Sequence, residues 1–142
     1  MAYINEITRL RVREAFADRC AYCLCSQTYV PGKLEIEHIH PESRGGTSEE
    51  SNLCLACRTC NLAKSNQIEA IDPLAGRSFP LFNPRTQTWN EHFQWTPDGA
   101  KLLGKTPVGR ATIIALNLNN ELAVAVRREW VRVGWHPPQE KP

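Results

Sequence analysis

The chain has 142 residues, 42% hydrophobic and 23% charged, and a formal net charge of +2. That length and apolar content fit one globular domain with a core, while the charge is too small for composition alone to announce a polyanion binder. No apolar run is long enough for a signal peptide or a membrane span, so a cytoplasmic location with reduced thiols is expected.

Charge is uneven along the chain. Residues 1–100 hold 10 Lys/Arg against 12 Asp/Glu, whereas residues 101–142 hold 7 against 3. A solvated helical face explains such a bias as readily as a polyanion partner does.

In chain order, "NEITRLRVREAFADR" predicts an amphipathic helix with Ile7, Leu10, Val12 and Phe16 roughly on one stripe. "CAYCLC" follows, then a Pro31-Gly32 turn and a short strand, "LEIEHI". "PESRGGTSEESN" is turn chemistry, "LCLAC" reads as a second strand, and "RTCNLAKSNQIEA" carries helix formers. The order is strand, long loop, strand, helix. Downstream, "IDPLAGRSFPLFNPR" holds turn signals around two short apolar pieces, and the aromatics of "TWNEHFQW" are expected to pack back on the main body. Helices are expected near 107–116 and 120–132, and "HPPQEKP" reads as a frayed tail.

The cysteines fall into two C-x-x-C pairs, Cys20 with Cys23 and Cys57 with Cys60. Each short turn points both sulfurs inward, so two such knuckles can supply four thiolates to a tetrahedral Zn²⁺. Cys54 also stands C-x-x-C to Cys57, and Cys25 competes with Cys23. Cys54 sits in an apolar strand, where a buried free cysteine behaves as a small hydrophobe. Two pairs flanking a hairpin do not fit the strand-to-helix junction of a thioredoxin-like redox motif, and a redox or metal-sensing switch on the spare Cys25 and Cys54 is the weakest reading.

A closed four-thiolate site does not account for "EIEHIHPESRGG", in which Glu37 stands directly before His38. A polar edge strand is the bland reading of that pair. The knuckle, however, is followed at once by Asn61, with Lys64 one helical turn further along the same face. Taken together, "EHIHPESRGGTSEESNLCLACRTCNLAK" resembles the HNH endonucleases, whose motif is an acidic residue or His, then His, a glycine loop, Asn-Leu, and C-x-x-C-N-x-x-K. The similarity covers about 50 residues from Cys20, and the later "DPLAGRSFPLFNPRTQTWNEHF" with "TPVGRAT" looks like the tail of small stand-alone bacterial members.

The resemblance implies Glu37 as a metal ligand, His38 as general base, Asn52 as a brace for the loop and Asn61 as a second metal ligand. The residue types suit phosphodiester hydrolysis in their own right. A neutral imidazole can take a water's proton near pH 7, and Glu and Asn oxygens suit a hard cation, Mg²⁺ or Mn²⁺. Arg44 and Lys64 are candidate phosphate clamps, and Arg127, Arg128 and Arg132 candidate nucleic-acid contacts. Glu37 departs from the more usual Asp or His of the family. Neighbours in a regular strand also face opposite ways, so the strand must twist or end at Glu37-His38, and Pro41 is consistent with that exit. His40 shares parity with His38 and is a further candidate ligand.

The expected fold class is α+β: a zinc-stapled ββα-metal core at residues 1–68 with an N-terminal helix, a C-terminal extension at 69–136 that becomes helical, and a flexible tail at 137–142. The expected function is divalent-metal-dependent cleavage of DNA, with no membrane partner and with a homodimer or a larger nucleoprotein complex left open. The alternative is a non-catalytic zinc-knuckle module that binds nucleic acid.

Overall fold

A computed structural model describes residues 3–139, with helices and small antiparallel sheets in two compact units. The first unit comprises Met1–Ile68 and Asn83–Gln87; the second comprises Glu69–Phe82 and Thr88–Pro142.

In the first unit, helix α1 (Glu6–Ala15) starts where Asn5 Oδ1 accepts a hydrogen bond from the Thr8 amide at 2.8 Å, satisfying one orphan donor of the first turn. The expected apolar stripe is corrected here. Val12 is buried, but Ile7 and Leu10 are 63% and 58% exposed. Val12 lies about 200° around the helix from Leu10, so one face cannot bury both. The buried contacts come instead from Ile4 and Val12, while Phe16 lies under the Arg85 guanidinium at 5.1 Å.

Strand β1 (Glu35–His38) pairs antiparallel with β2 (Leu53–Ala56), placing Glu37 opposite Cys54 and His38 opposite Leu53. Every residue of β2 is buried, which explains its unbroken apolar sequence. The first cysteine knuckle is tied to this strand by the Ala21 amide, which donates to the Leu55 carbonyl at 2.7 Å. Helix α2 (Arg58–Lys64) follows directly, with the Cys57 thiol at its N-cap. Arg85, from the segment that rejoins this unit, donates through Nε to the Leu53 carbonyl.

The second unit contains two hairpins the sequence did not reveal as strands: β3 (Glu69–Asp72) with β4 (Arg77–Pro80), and β5 (Phe93–Trp95) with β6 (Leu102–Gly104). Pro80 ends β4, and the strands are only three or four residues long, too short for a period-two pattern to stand out. A short helix α3 (Trp89–His92) precedes β5. Helices α4 (Pro107–Ala115) and α5 (Glu121–Arg132) lie within a residue of their expected ranges, because capping is written in the sequence. Thr106 and Asn120 cap them through side-chain oxygens, and Pro107 occupies the first turn of α4. Gly109 is required in α4, since a Cβ there would collide with the His92 carbonyl.

The aromatics of 89–95 pack within this unit: Phe93 stands edge-on to Phe82 at 5.2 Å, and Trp95 meets the His136 ring at 4.3 Å. His136 thereby departs from the expected frayed tail. It is buried, with Nε2 bonded to the Gly99 carbonyl oxygen at 3.0 Å. Residues 140–142 of that tail lie outside the described residues.

Asp72 anchors α4 to the β3–β4 hairpin through a two-pronged ion pair with Arg110, both distances 2.9 Å. Arg110, with the Leu74 and Ala75 amides, holds the Asp72 carboxyl down at about 2. A carboxylate whose pKa is depressed on folding stabilises the fold above its unfolded value, near 4, and loses that contribution as pH falls toward 2. The melting temperature of Asp72→Asn should therefore lie below that of the wild-type protein at pH 6, and the gap should narrow as pH falls below about 4. A gap independent of pH would assign Asp72 a packing role only.

No helix among the described residues is long and apolar enough to cross a membrane.

Candidate functional site

The two knuckles converge. The thiols of Cys20, Cys23, Cys57 and Cys60 are buried and all lie within 4.8 Å of one another. A tetrahedral zinc with Zn–S bonds of about 2.3 Å sets its sulfurs about 3.8 Å apart, and Cys23 Sγ and Cys57 Sγ are 3.8 Å apart. The second knuckle is formed by the start of α2, where the Cys60 amide points at Cys57 Sγ at 3.4 Å. The cluster is compatible with zinc. Cys54 stands outside it: its thiol is buried, 3.8 Å from the Tyr22 hydroxyl, and burial pushes its pKa up, so it remains a neutral hydrophobe.

The second cysteine knuckle starts α2 beside β1, and the alternation of the strand decides what meets the helix. Glu35 and Glu37 face α2, and they meet Asn61 and Lys64, which are likewise one turn apart. Asn61 Nδ2 donates to Glu35 Oε1 at 2.8 Å, and Lys64 Nζ donates to Glu37 Oε1 at 3.1 Å. The second pair is closed off from solvent, with side chains 2% and 5% exposed. Lys64 Nζ also donates to the His38 carbonyl at 3.2 Å, tying the end of β1 to the helix. Glu37 Oε2, by contrast, is buried without a hydrogen-bond partner among the described residues. Burial pushes the Glu37 carboxyl upward, and the Lys64 ammonium opposes that shift. The Tyr22 hydroxyl, raised by burial and then by Cys54 and Glu37, shares this interior.

His38 points the other way. Its Nε2 lies 3.0 Å from Glu42 Oε1 and 3.0 Å from Ser48 Oγ, both in the loop between the strands. Asn52 braces that loop with three bonds: Oδ1 accepts from the His40 amide at 2.8 Å, and Nδ2 donates to the His40 and Thr47 carbonyls at 2.9 and 2.7 Å. Gly46 folds so tightly against the His40 carbonyl that no Cβ fits, and Gly45 takes a left-handed φ of 87° after the turn Glu42–Arg44. His40 is exposed and bonds the Arg44 carbonyl through Nε2.

Of the candidate site residues, the structure therefore joins Glu37 to Lys64, not to Asn61, and puts His38 on the opposite face of the strand. Three partners were missed: Glu35, Glu42 and Ser48. Strand parity pointed to Glu35, two residues before Glu37, and helical spacing to Glu42, four after His38; nothing in the sequence singled out Ser48.

The candidate phosphate contacts differ in availability. Arg44 is exposed and donates through Nε to the Asn66 carbonyl, whereas Lys64 is buried and already paired. Arg128 and Arg132 are exposed, the latter paired with Glu129 at 2.8 Å. Arg127 is buried, donating to the Ala100 carbonyl beneath the Trp95 ring. Its guanidinium is a packing element of the second unit, and the aliphatic spacing of α5 turned it inward.

No curated protein and no solved structure matches the chain. The family model for HNH endonuclease matches residues 20–67. That span begins at the first cysteine of the cluster and takes in both strands of the first unit, the glycine loop, Asn52 and α2, so this third of the chain is what resembles the HNH endonucleases.

Proposed function

We propose that the protein is a divalent-metal-dependent endonuclease that hydrolyses phosphodiester bonds in DNA, with a structural zinc at Cys20, Cys23, Cys57 and Cys60. The observation that carries this reading is the buried Oε2 of Glu37, without a hydrogen-bond partner among the described residues, next to an asparagine-bearing helix and one residue before an imidazole that is 14% exposed. A buried carboxylate oxygen without a donor is costly unless something positive meets it.

The residues fit a hard cation. Glu37 Oε2 and Asn61 Oδ1 are oxygen donors, and Asn61 spends only its amide N–H on Glu35. Mg²⁺ or Mn²⁺ bound there supplies Lewis-acid stabilisation of charge on the phosphate. In this reading His38 removes the proton of the attacking water, Asn52 keeps the loop that carries Glu42 and Ser48 in register, and the exposed Arg44 is the side chain offered to a phosphate. Lys64 holds the Glu37 carboxylate and the carbonyl of His38 against α2 and so fixes the direction of the end of β1.

Two observations favour the rival, non-catalytic reading: the Lys64 ammonium already neutralises Glu37 through Oε1, and His38 stands on the face of β1 opposite Glu37, bonded to loop side chains. Purified, zinc-loaded protein incubated with supercoiled plasmid separates the two. Nicking or linearisation that requires Mg²⁺ or Mn²⁺ and stops with chelator is expected, and retention of the plasmid without cleavage under any divalent metal would establish the binding module.

The basic helix α5 is proposed to add sequence-independent affinity through Arg128 and Arg132. Replacing both with Gln should weaken DNA binding and lower the salt slope by about 0.9 for each phosphate no longer neutralised. An unchanged slope in a fluorescence-anisotropy salt titration would reduce them to a solvated face, with Arg132 serving Glu129.

A further inference from the structure

We infer that Glu42 is a positioning residue for His38, fixing which ring nitrogen acts as the base; this rests on the reading of His38 as general base. Glu42 Oε1 and Ser48 Oγ both lie 3.0 Å from Nε2. An ionised carboxylate only accepts hydrogen bonds, so the nitrogen facing it must carry the proton. Nδ1 is then the unprotonated nitrogen, and it has no hydrogen-bond partner among the described residues. Position 42 falls in a short turn whose end is set by Gly45 and whose distance from the strand is set by Gly46 packed on His40. The glycine loop thus serves to bring a carboxylate back onto the histidine four residues earlier.

In the hydrolytic step Nδ1 takes one proton from water as the water oxygen bonds to phosphorus. The bond from phosphorus to the leaving sugar oxygen breaks with its electron pair on that oxygen, which is protonated by solvent. The imidazolium so formed carries protons on both nitrogens, with the Nε2–H held by Glu42 and its charge opposed by the carboxylate. Loss of the Nδ1 proton to solvent restores the starting state. The arrangement follows the logic by which a buried carboxylate orients a catalytic histidine elsewhere, with the carboxylate here supplied from within the same loop.

The test uses full-length, zinc-loaded protein labelled with ¹⁵N-histidine, and long-range ¹H–¹⁵N spectra, with the His38 signals identified by their loss in His38→Ala. The wild-type protein should show His38 protonated on Nε2 and bare on Nδ1. Glu42→Lys replaces the acceptor with a donor and should move the proton to Nδ1, while Glu42→Gln should admit both forms. In plasmid cleavage at saturating DNA, Glu42→Gln should lower kcat by at least about tenfold with KM and zinc content unchanged, and Ser48→Ala should cost less. A tautomer indifferent to Glu42→Lys, or a wild-type kcat in Glu42→Gln, overturns the assignment of Glu42. Wild-type cleavage by His38→Ala instead overturns the base itself, and the spectra tell the two failures apart.

Discussion

Cys57→Ser is expected to yield a protein without zinc and without a folded first unit. The four thiols come from a knuckle before β1 and from the start of α2, so a bound metal would join segments distant in the chain, with the Ala21–Leu55 backbone hydrogen bond beside it. Binding to a structural site of this type is worth about 10–16 kcal/mol near neutral pH, as much as or more than the whole stability of a small domain. Serine keeps the size of the side chain and its place at the α2 N-cap, where Cys57 Sγ faces the Cys60 amide, so any loss reflects the thiolate and not the cap. Cys54→Ala is the control. That thiol is buried outside the cluster, and its removal should cost no more than a small cavity, of order 1–2 kcal/mol. Elemental analysis and circular dichroism of the three proteins decide the matter. A folded Cys57→Ser with full zinc content would move the ligand set to Cys25, which is also buried.

The second large effect is expected at β1. His38→Ala should lose cleavage by a factor of about 10²–10⁴, the range for a missing general base, while zinc content, folding and DNA affinity stay close to wild type. Its side chain is mostly covered, but its partners Glu42 and Ser48 both reach solvent, so its truncation leaves no buried polar group behind. Glu37→Gln should differ in kind. The lost charge weakens cation binding, so activity should be partly recovered at higher Mn²⁺. The same change also leaves the buried Lys64 ammonium without its carboxylate, so Glu37→Gln should lower stability as well, a penalty absent from His38→Ala. Glu37→Gln with Lys64→Met removes both charges and should recover the stability but not the metal response. Rates measured across a Mn²⁺ titration separate these outcomes. Full recovery of His38→Ala by metal would make His38 a ligand, and a melting temperature unchanged in Glu37→Gln would mean that the Glu37–Lys64 pair does not hold the hairpin to the helix.

Local chemistry made much of the molecule legible from its residues alone. The paired C-x-x-C spacing identified the four thiols, because each knuckle is a short turn whose geometry its own residues dictate. The ranges of α4 and α5 were legible to within a residue, and the structure shows the caps that set them, Thr106 and Asn120, while Asn52 bonds across the loop from the Asn-Leu of the motif. What the residues could not show was direction. Burial of α1 runs through Val12, with Ile4 buried just ahead of the helix, because the helix is covered on one side only, and which side is settled by β2 and Arg85, not by the apolar count. Arg127 and Arg128 are adjacent and identical in type, yet one packs beneath Trp95 and the other meets solvent. The short strands of the second unit form because each finds a partner, and three residues hold no periodicity of their own. Strand alternation likewise separated Glu37 from His38. The sequence determined that a carboxylate and an imidazole would stand side by side, and only the pairing of β1 with β2 and α2 decided that one would be buried on a lysine while the other meets a loop carboxylate. The reason is physical: spacing along a chain is local, whereas the side of a strand or helix that loses its water is set by whatever packs against it.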